Sequence, residues 1–222
     1  ARTEKAMLAF GKTAQRVGVT TCTDLFNDLP DDDVAALLSV TGKDDYPLRI
    51  VPALNGMGDS VEALVAHVKE LRKKSTDRLR LGAVKLMTDG SIQGYTARLK
   101  WPGYLGNRPN GIWNMPPEQM HKRIVELNRA GVHMHIHVNG DEAAEMVLAA
   151  LDDAMSSHPK GDNRHVLQHC QLADESQFRK MANLGVCANL FANHLWFFGD
   201  QHHDLTVGPD KAMRLDACMS AI

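Results

Sequence analysis

One pattern recurs along the chain: an amphipathic helical stretch ends at a glycine, and a β-branched or apolar run begins at the next residue. Residues 3–17 place Ala6, Phe10, Ala14 and Val17 at helical spacing, and Gly18 then leads into VTTCTD. Residues 117–130 repeat this with Met120, Ile124 and Leu127, then Gly131 and VHMHIHV. Residues 175–184 do so with Phe178, Met181 and Leu184, then Gly185 and VCANLF. A glycine just past a helix takes the left-handed conformation that closes it without steric cost. Helix starts are marked too. Asp59 with Glu62, and Asp174 with Gln177, have capping-box spacing, and the pattern places Asp141 as N-cap of a helix starting at Glu142. Behind Asp59, the residues Val61, Leu64, Val65, Val68 and Leu71 make one apolar stripe.

The predicted strands are therefore 18–23, 48–54, 81–87, 132–138, 165–170 and 186–190, each separated from the next by helix or long loop. Alternating β and α with apolar strands implies right-handed crossovers and a parallel sheet. Such units without a glycine-rich phosphate loop favour an α/β fold that is part of a (β/α)8 TIM barrel; a flavodoxin-like open sheet is the alternative. No linker or low-complexity stretch interrupts the pattern, so a single domain over 1–222 is expected. Residues 88–116, rich in Gly, Pro, Trp and Tyr, exceed usual loop lengths and read as an active-site loop. Trp101, Tyr104 and Trp113 within it are expected at an apolar pocket rim.

Composition changes this picture only at one point. The 222 residues carry a formal charge of -2, which gives no footprint for nucleic acid or an anionic membrane. No apolar run approaches the ~20 residues of a bilayer span. The four cysteines form no CxxC pair and read as reduced, mostly buried thiols of a cytoplasmic protein. The unusual number is histidine, at 11. Three of them, His133, His135 and His137, alternate along one strand segment and so share a face. His is the commonest metal ligand, but such rings also pack internally.

The polar residues at strand ends carry the chemistry. Lys85 lies inside the apolar run GAVKLM, where an ammonium is costly unless paired, modified or used. His137 stands at the tip of its strand and His169 at the tip of the next. The plainer alternatives are a Lys85 at the strand edge with its ammonium in water, and histidines bonded to the backbone in the core. His133 and His135 lie deeper, where packing or support is the expected role. Asp89 could orient substrate or simply form an Asp-Gly turn. His194 and Trp196, in NHLWFFGDQHH, are expected to line a substrate pocket, or else to pack a loop. His202 and His203 are expected in solvent.

VKLMTDGSIQGYTARL, HIHVNGDEA and RHVLQHCQ together resemble the amidohydrolase superfamily, in particular the YtcJ-like metal-dependent hydrolases of the amidohydrolase 3 family. The similarity runs from GVTTCTDL to VGPDKAMRLDAC. It implies a distorted barrel with one or two divalent metals, zinc first among them, at the C-terminal strand ends. It assigns Lys85 as a carboxylated bridging ligand, His137 and His169 as the ligands of the fifth and sixth strands, and the loop of Asp89 and Ser91 as substrate-shaping. The implied reaction is hydrolysis of a C–N (non-peptide amide) or related bond of a small molecule by a metal-activated water. The family's HxH on strand one and Asp on strand eight have no counterpart before the first strand or after the last. The chain is thus expected to be a fragment holding about strands two to seven, inactive and binding metal weakly or not at all by itself, with its sheet edges either covered by a partner copy in a homodimer or tolerated at a cost in solubility. A non-catalytic (β/α) binding module and a mononuclear deaminase of the same superfamily are the competing readings.

Overall fold

The computed structural model describes residues 3–222, which group into two compact units, one up to Lys85 and one from Leu86 onward. In the first unit, α1 (Glu4–Arg16) leads to β1 (Thr21–Asn27), α2 (Asp31–Thr41), β2 (Arg49–Asn55), α3 (Val61–Lys73) and the start of β3 (Ala83–Met87). The strands β1 and β2 pair in parallel from Thr21 opposite Arg49. β2 pairs in parallel with β3, Asn55 lying opposite Lys85. Helix α2 escaped the periodicity search, although Pro30 before it and three aspartates in its first turn are start signals. The apolar stripe of α3 is the predicted one, with Leu64, Val68 and Leu71 buried. Its cap is not Asp59, however. Ser60 sits at the N-cap and its hydroxyl accepts the Ala63 N–H at 3.2 Å.

In the second unit the order is α4 (Pro117–Arg129), β4 (His133–Val138), α5 (Asp141–Ser157), β5 (Val166–His169), α6 (Glu175–Leu184), β6 (Cys187–Leu190), α7 (Asn193–Gln201) and α8 (Gly208–Ala212). The strands β4, β5 and β6 are parallel neighbours, with Val138 opposite His169 and His169 opposite Leu190. The segment just past β3 joins them, since the Thr88 N–H donates to the His137 carbonyl at 3.2 Å. The three glycines that close α1, α4 and α6 all have positive φ: 74° at Gly18, 74° at Gly131 and 64° at Gly185. The predicted capping box of α6 is present, Asp174 and Gln177 each bonding the other's backbone N–H. Asp141 is the first residue of α5 rather than its N-cap, which is Gly140 with no side-chain cap bond.

Helix α5 packs on α4 and α6, and its alanines Ala143, Ala144, Ala150 and Ala154 are at or near full burial. Residues 88–116 hold only a short 3-10 turn, Leu105–Asn107. They are nevertheless packed: Ile92, Ala97, Leu99 and Tyr104 share a core with Leu172, Val207 and Leu215. Tyr104 is therefore core, not pocket rim, and its hydroxyl donates to the Ala97 carbonyl at 2.9 Å. Trp101, at 92% exposure, stands in solvent. Only Cys170 of the thiols is buried, while Cys187 and Cys218 are exposed, so the expectation of mostly buried cysteines fails. No helix among the described residues is long and apolar enough to cross a membrane.

Candidate functional site

The second unit brings His137 and His169 together, their rings edge to face with centroids 4.7 Å apart. Both stand at strand ends because β4 and β5 are parallel and in register one residue apart. His169 and Cys170 have φ of 76° and 48°, so the backbone turns left-handed as the strand ends. The His137 ring is fixed by the loop behind β3. Its Nε2 lies 2.9 Å from the Gly90 carbonyl, which also accepts from Asn139 Nδ2 at 2.8 Å. A carbonyl only accepts, so this contact is a hydrogen bond when Nε2 carries the proton; Asn139 Nδ2, itself a donor, lies 3.2 Å from the same nitrogen. Metal-binding imidazoles characteristically donate their second N–H in this way.

Asp89 anchors the same loop. It is fully buried, accepts the Asn139 N–H at Oδ1 (3.1 Å), and takes the Arg98 and Gly140 N–H groups at Oδ2 (3.0 and 2.9 Å). Burial pushes its carboxyl up to about 7 against the pull of those donors. Asn139 and Gly140 were the residues that sequence reasoning missed here, although NGD after a strand marks the turn that carries them. Ser91 is engaged locally: its hydroxyl accepts the Gly94 N–H at 3.2 Å.

His194, on α7, lies 6.0 Å from the His169 ring and 4.8 Å from Phe191, so the structure does bring it to this end of the strands. Trp196 on the same helix is 86% exposed. His202 corrects an expectation. It is fully buried, with Nδ1 against Thr206 Oγ1 (2.9 Å) and Nε2 against Gln171 Nε2 (3.2 Å), because α7 runs on into a wide turn, His202–Thr206, that swings the ring inward. Burial pulls its pKa down to about 4, so it is neutral. Of the deeper histidines, His135 is buried and His133 half-buried. His135 Nδ1 accepts from Gln168 Nε2 at 2.8 Å, and His133 Nε2 lies 2.6 Å from the Arg164 carbonyl. Lys85, in the first unit, is 3% exposed within the buried run Ala83–Leu86.

The donor set suits a divalent cation, since neutral imidazoles bind zinc and its neighbours well. Among the described residues no group of three or more His, Cys, Asp or Glu side chains could hold a metal alone.

Comparison with known proteins agrees with this layout. The Amidohydrolase family model matches residues 1–222, so the chain belongs to that family. The YtcJ protein of Bacillus subtilis is 30% identical over 123 residues, 55% of this chain and 22% of that protein. A metal-dependent hydrolase of Pyrococcus furiosus, of uncharacterised function, superposes with a TM-score of 0.74 at 19% identity, over 96% of this chain and 42% of that one. The zinc complex of the atrazine chlorohydrolase TrzN from Arthrobacter aurescens gives 0.54 at 15% identity, over 98% and 45%. The fold is thus a partial TIM barrel, and the chain spans less than half the length of these relatives.

Proposed function

We propose that the chain forms part of a metal-dependent hydrolase that opens a C–N or related bond of a small molecule with an activated water. The observation that carries this is the His137–His169 pair, two imidazoles at the ends of adjacent parallel strands with ring centroids 4.7 Å apart. These two rings would hold a divalent cation, zinc first among the candidates, with Lys85 as the carboxylated third ligand that the family resemblance assigns. A bound ion supplies a water of pKa near ~7 and polarises the bond to be cleaved. The protein's own part is positional. The Gly90 carbonyl and Asn139 hold the His137 ring in place, and Asp89 holds the three backbone N–H groups that shape the turn. With both oxygens so engaged, Asp89 reads better as the anchor of this loop than as a group touching substrate. His194 offers a ring beside His169 for substrate, while Ser91 and Trp196 have weaker support in this role.

The test is metal analysis and turnover of the full-length protein carrying His137→Ala or His169→Ala. Loss of bound metal together with hydrolysis is expected. Unchanged metal content and turnover would sink the assignment. Intact-mass measurement after gentle preparation should show one added CO2 on Lys85; its absence from a metal-loaded, active protein would point to a mononuclear site built from histidines and an aspartate.

A further inference from the structure

The second unit contains a buried carboxylate that the proposed chemistry leaves unused. Asp216 lies between α8 and the final 3-10 turn, its side chain fully shielded, and neither Oδ1 nor Oδ2 accepts a hydrogen bond. Its backbone is pinned, the N–H donating to the Gln171 carbonyl at 2.9 Å, and its φ of 48° is one that non-glycine residues avoid. An unmatched buried carboxylate and a strained backbone at one position are both costly and tend to gather at functional sites. A candidate donor is His194, whose Nδ1 lies 3.8 Å from Asp216 Oδ2 and is itself buried without a hydrogen-bond partner. Neighbouring groups do not compete. His202 has both ring nitrogens engaged, and the Cys170 thiol faces the Leu167 carbonyl at 3.5 Å.

We infer that Asp216 is a positioning residue for His194: its carboxylate takes the Nδ1–H bond and fixes the tautomer that leaves Nε2 as the lone-pair nitrogen. The gap is about 1 Å beyond a hydrogen bond, within the reach of side-chain rotation. A carboxylate bonded to Nδ1–H orients an imidazole and stabilises the imidazolium formed when Nε2 takes a proton. The ring so held lies beside His169, which lies beside His137. That His194 would meet a substrate proton rests on the hydrolase reading above; the pairing with Asp216 does not.

Long-range 1H–15N spectra of the 222-residue chain at pH 8, with His194 assigned through its loss in His194→Gln, test the pairing. The expected pattern is a protonated Nδ1 and an acceptor-type Nε2. In Asp216→Ala the Nε2-protonated tautomer should appear. In Asp216→Asn, whose amide oxygen can accept the same bond, the original pattern should be kept. An unprotonated Nδ1 in the unaltered chain overturns the inference, as does an unchanged spectrum in Asp216→Ala. Should Asp216→Ala fail to fold, the unaltered chain and Asp216→Asn decide alone. These spectra require no turnover, so a full-length protein that neither binds metal nor turns over substrate would refute the hydrolase reading while leaving the pairing intact.

Discussion

His165 shows how much one buried ring can set the behaviour of this chain. Its Nδ1 accepts the Met134 N–H at 3.2 Å, so Nε2 must be the protonated nitrogen that meets Asn128 Oδ1, also at 3.2 Å. A second proton has nowhere to go, and burial first, then the neighbouring His133, pulls the pKa down to about 3. The unfolded chain binds a proton near pH 6.5 that the folded chain refuses. Stability from this residue is therefore complete above about 6.5 and falls as pH drops toward 3, by about 1.4 kcal/mol per pH unit. Denaturant melts between pH 7 and 4 should show this slope, and His165→Gln should reduce it by one proton. An unchanged slope in that variant would refute the account. Gly140 acts differently. Its φ of -82° suits any residue, but an added Cβ would run into the Arg98 carbonyl, which also accepts the Glu142 N–H. Gly140→Ala should cost roughly 1–3 kcal/mol by urea melt, through displaced backbone rather than through lost turn geometry.

At the scale of elements, the sequence marks were reliable where they were local. The strands fell within a few residues of the predicted segments, because glycine closure at Gly18, Gly131 and Gly185 is a backbone effect that sequence neighbours decide. The cap of α3 was misplaced by one residue for a related reason. Asp59 and Ser60 both have side chains that cap, and spacing to Glu62 favoured the aspartate, whereas the Ser60 φ of -61° and ψ of 153° put its hydroxyl within reach of Ala63. Ser60→Ala should then destabilise the chain by about 1 kcal/mol, with Ser60→Asp retaining most of the stability. Equal stability of Ser60→Ala and the unaltered chain in thermal melts would return the cap to Asp59. Helix α2 stayed unseen because its start rests on Pro30 and three consecutive aspartates rather than on an apolar period.

Across the whole molecule, what stayed hidden is whatever depends on segments far apart in sequence. His137 and His169 could be picked out because each ends its own strand. Asp216 could not, since no strand end marks it and it meets His194 only through the fold. The same holds for the tie that gathers the second unit. Lys211 is buried; its Nζ donates to the Lys100 carbonyl at 2.7 Å and reaches Asp141 Oδ2 at 3.4 Å, while Asp141 Oδ1 accepts the Lys100 N–H at 2.8 Å. Three segments meet there: the long loop, the first turn of α5 and α8. Burial lowers the Lys211 pKa, and the Asp141 carboxylate opposes that drop. Removing one member of a buried pair strands the other, which costs more than the pair contributes. Lys211→Met should therefore destabilise the chain by roughly 3–5 kcal/mol, since Asp141 is left with a buried charge held by the Lys100 N–H and by Arg214 at 3.6 Å. Adding Asp141→Asn to Lys211→Met should recover part of that loss, because the stranded charge is gone. Strictly additive penalties in this double-mutant cycle would mean that the two side chains act independently, and that the loop and α8 are held by their apolar contacts alone.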